Sequence, residues 1–245
     1  MNSEIIKKTT ALGELIIKPV DKNTAKEMII NNHYSHKWNV GFGVLNYGIF
    51  YASNPDECLG VACYGYMKNL KAKIFSHHNP NAWMCELNRL WISDILGKNA
   101  ETILIGASIR LLRKADPNIV AIQSFADGRL GCGTIYKAAN FKYYGFHYTK
   151  FLENTKTGEI THEQNLTNTT NTTGYLRANI AYLVGDFKIF EVKTHRYIYP
   201  LCKGFKFVRP EKKYPEYDKG QTSVTWDRDR SKIVYNITQL MNKLI

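Results

Sequence analysis

The sequence predicts a mixed α/β fold in which one mixed central sheet is flanked by helices, with a β and loop extension toward the C-terminus. Three observations carry this expectation. Strand-length apolar runs alternate with helical periodicities between Trp83 and Leu152, the order that lays helices on both faces of a sheet. The run NIVAIQSFAD, Asn118 to Asp127, is apolar enough for a strand covered on both sides. A chain of 245 residues with 44% hydrophobic and 13% aromatic side chains suffices for a sizeable core.

The elements follow in order. Leu15 to Val20 is a short apolar run, after which Asp21 can cap a helix whose Ala25, Met28, Ile29 and Asn32 fall at helical spacing. This helix should end near His33-Tyr34-Ser35. Phe42 to Tyr51 and Leu59 to Met67 read as strands separated by the turn Asn54-Pro55-Asp56. WMCELNRLWIS alternates like a strand, with Cys85, Leu87 and Arg89 on one side and Glu86, Asn88 and Leu90 on the other. In KNAETILIGASIRLLRKADP, Asn99 is the expected cap, Leu104, Ser108, Leu111 and Ala115 the buried stripe, and Asp116-Pro117 the stop. After NIVAIQSFAD comes a short helix carrying Tyr136, and KYYGFHYTKFL returns as a strand. Beyond Leu152 the pattern weakens: NLTNTTNTTGY reads as an exposed low-complexity loop and FEVKTHRYIYPL as a further strand. The expected organisation is a core over 1–153, a variable insertion over 154–189, and a terminal strand and basic tail over 190–245 that complete the same domain.

Thirty-three Lys and Arg against 21 Asp and Glu leave a net charge of +12. Clustered cations gain from neutralising phosphates and releasing counterions, so a polyanion is the expected partner; a membrane surface and mere solubility are the alternatives. The segment 193–219 is crowded with Lys and Arg between Tyr, Phe and Pro. Lys193, Arg196, Lys203 and Lys206 are its expected phosphate contacts, joined by Arg89 from the central strand, and a solvated edge strand guarded by lysines is the alternative reading. The five cysteines are scattered and form no CxxC pair, which argues for a reducing compartment and against a zinc ribbon or a disulfide framework. The N-terminus lacks a signal-like apolar region, and no apolar run approaches the ~18 residues of a membrane span. The expected location is the cytoplasm, with no membrane partner.

The stretch QSFADGRLGCGTIYKAANFKYYG, from Gln123 to Gly145, ends a buried strand in Ser124 and Asp127 at the edge where open α/β sheets place ligands. Tyr136 lies about one turn into the following helix. An Asp as proton acceptor and a Tyr as donor are the minimum for acid/base work; a helix-capping Asp beside a packed Tyr is the structural alternative. NNHYSH sets His33, Tyr34 and His36 at the end of the first helix, as metal ligands, proton carriers or an ordinary helix end. If His33, Asp127 and Tyr136 converge, their N and O atoms would suit iron or manganese. Glu86 and Arg89 on a central strand must pair with each other or face a site. Lys98, Asn99 and Ala100 can offer helix-start amides to a cofactor phosphate.

Taken together, NNHYSH, CELNRLWISD followed by KNAETILIGASIRLL, SFADGRLGCGTIYKAANFKYYG and KTHRYIYPL resemble, in order and spacing, the Mom family of bacteriophage DNA-modification proteins within the acyl-CoA N-acetyltransferase (GNAT) superfamily. The resemblance implies a GNAT-like fold and a transferase that converts adenine in double-stranded DNA to N6-carbamoylmethyladenine, protecting phage DNA from restriction in the host cytoplasm. It places the family's His-Tyr pair on His33 and Tyr34, its strand-end Asp on Asp127, its helix Tyr on Tyr136 and its strand Arg on Arg89, with Ser124 as a secondary candidate. A tyrosine at the position of Tyr136 commonly protonates the departing thiolate in the superfamily. A small-molecule group donor, acyl-CoA or a relative, is implied, and iron is the metal alternative. Tyr34, Trp38 and Tyr66 are candidates to stack on an extruded base.

Two departures from the pattern stand out. The superfamily's pyrophosphate loop is absent, with Ile95-Leu96-Gly97-Lys98-Asn99-Ala100 in its place, and Cys132 stands where a His is expected. Two other functions fit the residues: a GNAT-type acyltransferase for another amine (hypermodified pyrimidine, tRNA or a small molecule), and a non-catalytic DNA-binding protein. A homodimer and a monomer are equally compatible with the sequence.

Overall fold

A computed structural model of the chain describes residues 4–11, 13–67, 69, 72–162, 187–217, 224–225 and 230–242. The NLTNTTNTTGY segment lies outside the described residues. The strands are β1 (Ile6–Thr10), β2 (Gly13–Pro19), β3 (Leu45–Tyr51), β4 (Gly60–Tyr66), β5 (Phe75–Ser76), β6 (Trp83–Ile92), β7 (Ile119–Asp127), β8 (Lys142–Asn154), β9 (Ile160–His162), β10 (Phe187–Pro200), β11 (Lys206–Phe207) and β12 (Val224–Thr225). The helices are α1 (Lys22–Asn32), α2 (Ala100–Ala115), α3 (Thr134–Ala138) and α4 (Arg230–Asn242). The expected mixed α/β class, with a large and mostly antiparallel sheet and few helices, is what the chain adopts.

The chain divides into two compact units, one of residues 1–125, 133–145 and 196–215, the other of residues 126–132, 146–195 and 216–245. In the first, the sheet runs β1-β2-β3-β4-β6-β7-β10-β8. The pairs from β1 through β6 are antiparallel, whereas β6 and β7 pair in parallel. A parallel pair needs a long crossover, and α2 supplies it.

Two helices cover the middle of this sheet. Ala25 and Ile29 of α1 cluster with Val61 and Cys63 of β4. The next residue, Tyr64, is fully buried and its hydroxyl meets Ser108 of α2 at 2.6 Å. Ser108 in turn donates to the carbonyl of Ile105 at 2.9 Å, so both buried hydroxyls are satisfied. Helices α1 and α2 thus take opposite faces. Leu104, Ile105, Ala107, Ser108, Ile109, Leu111 and Leu112 bury the broad apolar side of α2, while Gly106, Arg110, Arg113 and Lys114 are exposed.

Several local expectations need correction. Asp21 caps α1 as expected, through Asn23 and Thr24 N–H. Asn32, however, leaves the buried stripe and turns its amide back to the Met28 carbonyl. Asn99 precedes α2 in a left-handed conformation (φ 70°) and makes no side-chain cap, and Ala115 is exposed. Strand β3 begins at Leu45, three residues later than predicted. Strand β1 was not foreseen, because IKKTT has the polar composition of a protected edge.

A bulge overturns the expected alternation of β6. Tyr64 pairs with Leu87 while its neighbour Cys63 pairs with Arg89, which leaves Asn88 as an extra residue. Leu87 therefore shares the α2 face with Tyr64. Arg89 shares the α1 face with Cys63, and Glu86, opposite Gly65, joins it there. The sequence pattern had put Glu86 and Arg89 on opposite sides.

In the second unit the outer part of β8 forms a hairpin with β9, and the first half of β10 pairs with β12. Phe151, Phe190 and Val192 form its small cluster, with the two phenyl rings stacked at 5.8 Å. Helix α4 lies where a terminal tail was expected.

Two glycines test this packing in opposite directions. A Cβ on Gly65 would collide with the Gly41 carbonyl and the Asn88 side chain, so Gly65→Ala should lower unfolding stability by about 2 kcal/mol. Gly106 has open space in the middle of α2, and Gly106→Ala should raise it by about 0.5–1 kcal/mol. Urea unfolding of the two variants checks both signs.

Candidate active site

The candidate site lies in the first unit, where β6 and β7 part. Their parallel pairing runs from Trp83↔Ile119 to Glu86↔Gln123, while β6 continues to Ile92 and β7 to Asp127. Just past the last pair, Ser124 Oγ donates to the Leu87 carbonyl at 3.3 Å. Side chains at this fork are held by strands on both sides.

Ser124 is fully buried and hydrogen-bonded to Tyr136. The ring of Tyr136 packs on those of Tyr197 and Phe141, at 5.2 and 5.6 Å. Burial pushes its hydroxyl up to about 12, against the opposite pull of the Ser124 hydrogen bond, so Tyr136 keeps its proton at neutral pH. Arg89 spreads over the Phe42 ring at 4.6 Å and donates to the carbonyls of Lys37 (3.2 Å) and Asn88 (2.7 Å). Burial draws its guanidinium below its usual range, while Tyr34 and Glu86 act the other way.

His33 closes the end of α1 and is buried. Its Nδ1 accepts the Ser35 N–H at 3.1 Å and lies 2.9 Å from Ser35 Oγ. With Nδ1 used as an acceptor, the neutral ring carries its proton on Nε2. Burial lowers its pKa to about 4, helped by the charges of Arg89 and His36, so the ring is neutral at neutral pH. The exposed Tyr34 ring lies 4.3 Å from it. Glu86 is raised above the usual carboxylate range, chiefly by burial. Its Oε2 accepts from Gln123 Nε2 at 3.0 Å and its Oε1 from Asn88 Nδ2 at 3.3 Å.

The fork thus gathers His33, Tyr34, Glu86, Arg89, Ser124 and Tyr136. Asp127 belongs to the second unit, where its carboxylate accepts from Arg129 Nε at 3.0 and 3.1 Å and from the Arg129 backbone N–H at 3.0 Å. The Arg129 guanidinium rests on the Phe151 ring at 4.1 Å. Among the described residues no three His, Cys, Asp or Glu side chains are grouped to hold a metal ion. Cys132 is buried in the second unit.

Of the expected phosphate contacts, Lys203 and Lys206 are exposed. Lys193 lies in the second unit with its Nζ 5.1 Å over the Phe146 ring. Arg196 turns inward instead, over Phe125 (5.3 Å) and Phe207 (5.6 Å), within the influence of Glu86. Trp38 packs against the α1 and β4 cluster, whereas Tyr66 is 45% exposed. Lys98 and Asn99 line a cleft of about 540 Å³ with Gly97, Thr102, Thr134 and Ile135, while Ala100 is buried. The first amides of α2 have no side-chain cap there, which fits a phosphate, and Lys98 adds a cation; Asp94 and Glu101 line the same cleft.

Sequence reasoning missed Gln123 and Asn88 as partners of Glu86. The available signal was an amide on each of two strands too apolar to leave it unpaired.

The state of His33 is testable by pH. Its pKa falls from 6.5 to about 4 on folding, so the unfolded chain binds the extra proton between those values. The stability this contributes is present above pH 6.5 and is lost as the pH falls toward 4. The Tm of His33→Asn should therefore depend less on pH than wild type between pH 7 and 4.5; parallel melting curves of the two proteins would refute this.

The family model described as the Mom protein family matches residues 14–216. The chain is 31% identical over 153 residues to the methylcarbamoylase Mom of Escherichia phage Mu, covering 61% of each protein's length. Among solved structures it is similar to Arabidopsis thaliana NAA60 in complex with acetyl-CoA, at 10% identity and a TM-score of 0.48 over 76% of this chain and 99% of that one. It is also similar to the ribosomal-protein-S5-alanine acetyltransferase of Vibrio fischeri, at 8% identity and a TM-score of 0.44 over 81% and 98%. Those two likenesses are too distant to assign an activity. The family match, which spans most of the chain and includes every residue of the fork, makes this protein a member of the Mom protein family.

Proposed function

We propose that the chain is a transferase that places a carbamoylmethyl group on N6 of adenine in double-stranded DNA, protecting phage DNA from restriction in the host cytoplasm. The observation that carries this reading is the buried, proton-bearing Tyr136, hydrogen-bonded to Ser124 at the fork beside Arg89 and His33. Such a tyrosine suits one task in group transfer, giving its proton to a leaving group. The name of the phage Mu relative, methylcarbamoylase, supplies the class of group.

Charge favours a polyanionic acceptor. The chain holds 33 Lys and Arg against 21 Asp and Glu, and the second unit 11 against 10, which leaves the first unit 22 against 11. The unit that contains the fork therefore carries almost all of the net positive charge. Exposed Lys203 and Lys206 contact backbone phosphates, and the exposed ring of Tyr34 stacks on a base extruded from the duplex.

In this reaction adenine N6 forms a bond to the transferred carbon, the donor's leaving group departs, and N6 loses one proton. Tyr136 protonates the leaving group. Asp127 receives the N6 hydrogen bond or proton, and Arg129 fixes the direction its carboxylate faces. Arg89 holds negative charge at the fork. The donor is a small molecule that carries the carbamoylmethyl CH2 on a leaving group, a coenzyme A relative rather than an acyl thioester; N6 bonds to that CH2 as its bond to the leaving group breaks, and the α2 amides and Lys98 hold the donor's phosphate. That donor supplies the carbon electrophile.

Nucleoside mass spectrometry of DNA from bacteria expressing the protein tests the reading. Wild type should yield deoxyadenosine bearing a carboxamide-containing group, and Tyr136→Phe should lower its amount by about 10²-fold or more at unchanged Tm. Unmodified DNA with wild type would refute the proposal. In DNA-binding titrations, Lys203→Ala and Lys206→Ala should each reduce the slope of log affinity against log salt by about 1.

A further inference from the structure

Three buried atoms near the fork have no hydrogen-bond partner among the described residues: Asn88 Oδ1, Gln123 Oε1 and Arg196 Nε. Asn88 Oδ1 is accounted for by packing, since it lies against Gly65 where even a methyl group would collide. The other two are not accounted for that way. A buried polar atom left unpaired is costly, and when the fold does not satisfy it a ligand can.

The direction in which Gln123 points is set by its neighbour. Both oxygens of Glu86 already accept amide N–H groups, from Gln123 at 3.0 Å and from Asn88 at 3.3 Å. Turning the Gln123 amide over would bring its oxygen against the carboxylate. Its Oε1 is thereby held as an acceptor on a side chain whose residue is 4% exposed. Arg196, on β10 beside β7, offers the complementary N–H from a guanidinium lying over Phe125 and Phe207.

A group that completes this pair must present an N–H and an acceptor side by side. A primary carboxamide does so. A carboxylate has no N–H for Gln123, and an acetyl group would satisfy Arg196 alone. We propose that Gln123 and Arg196 seat the primary carboxamide of the transferred group, with Gln123 Oε1 accepting its N–H and Arg196 Nε donating to its carbonyl oxygen. The inference rests on the proposed function and deepens it, because it names what separates carbamoylmethyl from simple acyl transfer at this fork. The N6 edge of adenine has the same donor and acceptor shape, and the test distinguishes the two sources.

The test uses ¹⁵N-labelled full-length protein and follows the side-chain amide resonance of Gln123, identified by its absence from Gln123→Met. Acetamide is the probe, with N,N-dimethylacetamide, acetate and adenosine as comparisons. Acetamide should shift the resonance saturably, the dimethyl compound and acetate should not, and Arg196→Lys should weaken the acetamide response about fivefold or more. In cells, Gln123→Met should lower carboxamide-bearing deoxyadenosine about tenfold at unchanged DNA affinity. A resonance unmoved by acetamide, moved equally by the dimethyl compound, or moved by adenosine alone overturns the seat. So does unchanged DNA modification in Gln123→Met. If Gln123→Met does not fold, Arg196→Lys carries the cellular arm and the Gln123 resonance is assigned by through-bond experiments. Acetamide binding without DNA modification by wild type would leave the seat standing and remove the proposed function. Modified DNA without an acetamide response would do the reverse.

Discussion

The candidate site depends on how β6 is paired along its two edges. Toward β4, the extra residue Asn88 breaks the ladder and turns Arg89 onto the face that Glu86 already occupies. Toward β7, parallel pairing stops at Glu86↔Gln123 and the strands part. Without the bulge, Glu86 and Arg89 would face opposite helices. Where the strands part, Ser124 turns its hydroxyl to the Leu87 carbonyl and is hydrogen-bonded to Tyr136. Both irregularities fall within four residues, and Gly65 is kept free of a side chain so that the chain can pass there.

Burial then decides the charge of what is gathered. His33 is held neutral, Tyr136 protonated, and Glu86 shifted toward its neutral form, each mainly by removal from water. The guanidinium groups of Arg89 and Arg196 are left as the persistent cations of the fork. Such a site is arranged to meet an anion or a developing negative charge while offering N–H and O–H donors at fixed places. The same groups would form an ordinary ion-pair network on an exposed surface.

Much of this was legible in the sequence, and the failures are instructive. Asp21 announced α1, the apolar run of β7 announced a strand covered on both faces, and NNHYSH, NRLW and the helix tyrosine marked side chains that do share one fork. Alternation within β6 misled, because a period of two presumes an unbroken ladder and nothing in CELNRLWIS signals the extra residue. Composition alone makes Arg196 a surface cation. Its place in KTHRYIYPL, between buried His195 and Tyr197, already set it in a strand rather than a tail. Asn99 has the right residue type and position for a cap but the wrong backbone, since its left-handed φ is not the extended conformation from which a capping side chain reaches the helix amides.

The uneven division of charge between the two units also bears on how the sequence is free to change. On the proposed function, a duplex would be drawn by phosphate neutralisation to the unit that holds the fork and would gain almost nothing from the other, whose charges nearly cancel. Substitutions and insertions in the second unit, the Asn and Thr run among them, can accumulate without loosening the hold on the polyanion. Lineages of such a protein would then diverge in one unit while the other stays basic, so sequence drift itself would trace which half of the molecule meets its partner.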